Sequence, residues 1–102
     1  MNNPQQPNQQ QIQIKISDEV MKGFYANNMF VTHTPEEFVM DFASILGPHG
    51  IVGAKVITSP GHMKRIVAAL QDNIKKYEKI FGEIKAADAP QTNTGLGFED
   101  RK

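Results

Sequence analysis

The sequence predicts an α+β fold: a small antiparallel sheet of three or four strands followed by one long C-terminal α-helix. Three observations predict it. Ile12, Ile14 and Ile16 alternate with Gln13, Lys15 and Ser17, the period of two that marks a half-buried strand. Residues 23–34 and 51–59 are rich in aromatic and β-branched side chains, which favour strands. Beyond Ser59-Pro60, apolar residues recur at alternating spacings of four and three, the seam of an amphipathic helix.

Taken in order, the first strand is Ile12–Ile16, followed by a polar break over residues 18–22. The second begins after Gly23, with a bulge or twist expected where Asn27 and Asn28 interrupt the apolar run. Residues 34–46 support two readings. Thr34, Pro35 and Glu37 form the cap, first-turn proline and capping-box acid of a helix that would carry Phe38, Phe42, Ile45 and Leu46 on one face. The alternation of Phe38, Met40 and Phe42 with Val39, Asp41 and Ala43 equally describes a strand with one wetter face. Gly47-Pro48-His49-Gly50 is a turn, and residues 51–59 form the next strand. Ser59 then offers a hydroxyl to the first amides of the final helix, with Pro60 pre-set at its first position.

The ends differ in character from this core. Eight of the first eleven residues are Asn or Gln, interrupted by Pro4 and Pro7, so ordering them has little apolar burial to offset the entropy cost. Residues 86–102 mix small residues, Pro90, glycine and charge around Leu96 and Phe98. The expected organisation is a disordered tail at 1–11, one domain at 12–85 and a disordered tail at 86–102. A core of that size is near the lower limit for independent stability, and such chains gain burial by association.

Composition excludes several function classes. Eleven Lys and Arg balance eleven Asp and Glu, and there is no cysteine. Disulfide scaffolds, thiol nucleophiles and thiolate metal sites are therefore excluded. No apolar run approaches a membrane span and the N-terminus lacks the pattern of a secretory signal, so a cytoplasmic protein is expected.

Two segments carry a family resemblance. Tyr25-Ala26-Asn27 and Thr34-Pro35-Glu36-Glu37-Phe38 with Asp41-Phe42 come first. Ser59-Pro60, Lys64-Arg65, Asn73 and the finish Tyr77-Glu78 with Phe81-Gly82-Glu83-Ile84 follow. Over residues 12–84 the chain resembles the prokaryotic family known as domain of unknown function 3467. The resemblance implies antiparallel strands followed by one long helix, and it tilts residues 37–45 toward strand. It implies no activity.

The chemistry-bearing residues do not converge in the sequence. His33, His49 and His62 fall at a strand end, a turn and a helix start, without the short spacing of a metal pair. Ser59 has no nucleophile-elbow glycines around it and reads as a cap. Gly47, Gly50 and Gly53 are not followed by the Lys-Ser/Thr of a phosphate loop. Asp41 is either a buried acid with a partner or an acid on the solvent face of an edge strand. The chain is accordingly expected to be non-enzymatic and to need no cofactor or metal.

Assembly is more legible. Met63, Val67, Leu70, Ile74, Tyr77, Phe81 and Ile84 form the helix seam. A helix over residues 60–84 is roughly 37 Å long, whereas strands of five or six residues span about 17–20 Å, so the distal seam is expected to overhang the sheet. Leu70, Ile74, Tyr77, Phe81 and Ile84 are thus the candidate interface of a homo-oligomer, most simply a twofold dimer. A protein-binding role through the sheet belongs to the same reading. The alternative is nucleic-acid binding. Residues 62–85 carry six Lys or Arg against three acids, so Lys64, Arg65, Lys75, Lys76 and Lys79 would contact phosphates while aromatic strand residues stack on bases.

Overall fold

A computed structural model describes residues 11–90, and the element order is α1 (Asp18–Lys22), β1 (Asn28–His33), β2 (Phe38–Leu46), β3 (His49–Thr58) and α2 (Pro60–Phe81). The strands form one antiparallel sheet in sequence order with β2 at its centre. The fold is the α+β arrangement expected, with a long helix after three strands. Of the tails expected at 1–11 and 86–102, residues 1–10 and 91–102 lie outside the described residues.

Residues 38–46 resolve to strand. Thr34 does accept backbone amides on its hydroxyl, from Glu36 and Glu37 at 3.2 Å each, but within a hairpin loop closed by the Thr34 N–H donating to the Glu37 carbonyl. A hydroxyl serving the next two or three amides stabilises a turn as well as a helix start, which is why the cap signal misleads here. At the other hairpin, Gly47 takes φ +61° and Pro48 completes a two-residue turn. A positive φ followed by proline's fixed negative φ is the sign pattern of a type II′ turn, whose twist suits paired strands. That turn is tighter than the sequence suggested, and His49 already pairs with Leu46.

Three expectations need correction. Residues 11–17 pair with no strand among the described residues, and Ile12 and Ile14 are 83% and 88% exposed. Residues 18–22, read as a polar break, form a short helix whose Ser17 hydroxyl accepts from the Val20 amide. The signals were present in Ser17, the acidic first turn Asp18-Glu19 and Gly23 at φ +78°. Nor is there a bulge at Asn27–Asn28; β1 simply starts there, and the register shift falls across the sheet, between Phe42 and Ala43 where they face β3.

Asn27 itself acts as a sheet extension. Its side-chain amide donates to the Ile45 carbonyl and its carbonyl oxygen accepts the Ile45 N–H, both at 2.9 Å. Its backbone N–H donates to the Ala43 carbonyl. Three residues earlier, the Phe24 ring lies against Gly53 of β3, filling the space that a Cβ there would need. Residues 24–27 therefore lead from Gly53 on β3 across to Ala43 and Ile45 on β2, where the pairing with β1 begins.

Among the described residues, full burial is confined to the central strand: Met40, Asp41, Ala43 and Ile45 are the buried ones, and all four belong to β2. The most extensive packing between elements is likewise in the two strand pairs. We expect Asn27→Ala to lower unfolding stability by about 1–3 kcal/mol, because it strands the Ile45 N–H and C=O. Urea denaturation monitored by circular dichroism checks this, and no change in midpoint would contradict the reading of Asn27 as the start of the sheet.

Candidate assembly surface

α2 is built by local rules. The Ser59 hydroxyl accepts from the His62 amide at 3.1 Å, Pro60 occupies the first position, and Gly82 at φ +98° closes the helix with its N–H on the Glu78 carbonyl. Ile84 thus lies beyond the helix, its N–H donating to the Glu78 carboxylate at 2.9 Å. The other six seam residues lie within α2, and the Tyr77 and Phe81 rings touch with centroids 4.9 Å apart.

No residue of α2 is buried. Met63 and Ile66, near its start, are half-buried. From Val67 onward the seam stands in water: Leu70 is 59% exposed, Ile74 and Tyr77 48%, Phe81 70% and Ile84 45%. All five candidate interface residues are therefore on one exposed strip of chain. The reason differs from the expected overhang. β2 and β3 have nine and ten residues, so β3 spans roughly 33 Å, as long as a 22-residue helix. The chain after α2 also returns to the hairpin end of the sheet, where Ala87, Asp88 and Pro90 share an open recess with Tyr25, Asn27 and Leu46. The helix is not too long for the sheet; from Val67 onward its seam is left exposed among the described residues.

The basic residues Lys64, Arg65, Lys75, Lys76 and Lys79 are exposed on α2. Lys76 is 3.2 Å from Asp72 one turn earlier. Among the described residues the remaining polar chemistry is dispersed. His33 stacks on Phe38 at a strand end, and no three His, Asp or Glu side chains are grouped closely enough to hold a metal ion. No helix among them is long and apolar enough to cross a membrane.

Asp41 is the exception to exposure. It lies on central β2, directly across from Lys55 on β3, and the Lys55 ammonium is 2.6 Å from its Oδ1. The buried acid of the two alternatives is the correct one, with a lysine partner. Its face, shared with Val39, Ala43 and Ile45, contains most of the buried residues and is not the wetter one. Lysine suits this position because its long stem covers the sheet while its head reaches water, and its side chain is half exposed.

The geometry defines a class first: a small three-stranded antiparallel unit carrying an uncovered amphipathic helix. A family model described as protein of unknown function (DUF3467) matches residues 1–86, and the chain belongs to that family. No curated protein and no solved structure matches it.

A double-mutant cycle on Asp41→Ala and Lys55→Ala should give a coupling energy of about 1 kcal/mol, since one partner is half in water. Additive losses in urea denaturation would show the pair to be energetically idle.

Proposed function

We propose that this chain is a non-enzymatic homo-oligomeric assembly module, or a protein-binding module, and that α2 is its assembly surface. One observation carries the reading: a 22-residue amphipathic helix buries none of its residues. A fully exposed large apolar side chain forgoes about 1.5–3 kcal/mol that burial would return. Most helical stability in proteins comes from packing an amphipathic face rather than from propensity. A helix with so regular a seam and no cover is therefore half of an interface.

Sedimentation of the full chain tests this. The expected result is an oligomer at micromolar concentration that Ile74→Asp/Phe81→Asp dissociates, while Ala68→Asp, off the seam, does not. A monomer, or an oligomer indifferent to both seam changes, defeats the proposal.

The nucleic-acid alternative predicts a different observable. With no net charge on the chain and Lys76 held by Asp72, affinity for single-stranded oligonucleotides at physiological salt should be weak or absent. Submicromolar binding with a steep salt slope, flattened by Lys75→Glu/Lys76→Glu, would put the alternative ahead of assembly.

A further inference from the structure

The seam of α2 carries information about how its partner lies, and this inference rests on the assembly reading above. In heptad terms Val67, Ile74 and Phe81 occupy a, and Met63, Leu70 and Tyr77 occupy d. The flanks of the seam are then e, with Lys64, Gln71 and Glu78, and g, with Ile66, Asn73 and Ile80. The two flanks are chemically different. One is polar and charged, and the other is apolar at both ends with an amide at its centre.

Helix direction decides which flanks meet. In a parallel pair each g residue faces an e residue five positions further along the partner. Ile66 would face the partner's Gln71, Asn73 the partner's Glu78, and Ile80 the partner's Lys85. Both isoleucines would be set against polar groups, and Lys64 would meet no acid. In an antiparallel pair a twofold axis crosses the helices, so e faces e and g faces g. With the axis level with Asp72, Ile66 meets the partner's Ile80, and Lys64 lies near the partner's Glu78. Gln71 and Asn73, beside the axis, each meet their own copy. An amide is both donor and acceptor, so it can pair with itself, as two like charges cannot. Asp72 stays outside the seam with Lys76.

We infer that α2 packs antiparallel on α2 of a second copy of this chain, centred on Asp72. A second copy is the occupant because the surface is complementary to itself under that rotation: apolar flank to apolar flank, Lys64 to the partner's Glu78, amide to amide. The same register keeps helix against helix throughout, with Met63 beside the partner's Phe81. Glu78 remains able to take part, because the Ile84 amide occupies only its Oε2.

The absence of native cysteine makes the test direct. Full-length Met63→Cys and Phe81→Cys proteins are refolded together and oxidised mildly. Disulfides should join the two different variants, and neither variant alone should cross-link, since like sites are about 27 Å apart in this register at 1.5 Å per residue. Self-cross-linking of either variant alone would overturn the antiparallel arrangement while leaving assembly intact. Charge provides the second arm. Lys64→Glu and Glu78→Lys should each raise the dimer dissociation constant roughly tenfold, and the double variant should recover most of it. A double variant weaker than both singles would refute the register. A wild-type chain that sediments as a monomer removes the assembly reading and this inference together.

Discussion

A three-stranded sheet has one strand with neighbours on both sides, and among the described residues only that strand holds fully buried side chains. The rest of the structure depends on that limit. Met40 lies on one face of β2, and Asp41, Ala43 and Ile45 are buried on the other. β1 and β3 supply hydrogen bonds and flanking atoms to β2, yet neither contains a buried residue. Small domains are marginal because so much of their surface stays wet. This chain is an extreme case, since its longest element contributes no buried residue at all.

The features around β2 make sense as ways of completing a strand with little material. Asn27 replaces one more residue of β1 with a side-chain amide that pairs with Ile45 as backbone would. Gly53 lacks a side chain where Phe24 must pass, so an aromatic ring covers the sheet without an added layer. Lys55 meets the one buried charge on β2 from the neighbouring strand. An unpaired buried carboxylate would be costly, and a lysine at the sheet margin removes that cost while keeping its own head hydrated.

These devices serve the sheet alone. α2 is shaped by its own capping and periodicity, begins one residue after β3 and ends at Gly82. Its apolar seam is as regular as that of a helix in a bundle, but among the described residues no element buries it. The family to which the chain belongs is one of unknown function. The exposed strip of α2 is apolar and periodic.

The sequence by itself determined the features whose causes are local. Ser59-Pro60 and Gly82 set both ends of α2, Gly47-Pro48 set the β2–β3 turn, and the 4-3 spacing placed six of the seven seam residues on one helix. Each depends on hydrogen bonds or dihedrals spanning a few residues, so the residues concerned can be read side by side. Only the tertiary structure decided the rest. Residues 38–46 are a strand because β1 and β3 flank them, although Thr34-Pro35-Glu37 suits a helix equally well. Asp41 is buried because its strand is central, a fact of topology that no neighbouring residue encodes. Ile12, Ile14 and Ile16 alternate as a strand should, yet they pair with no strand among the described residues and stay exposed. Alternation requires a face to bury, and a strand requires a partner; both are supplied from far along the chain, where sequence patterns over a dozen residues do not reach.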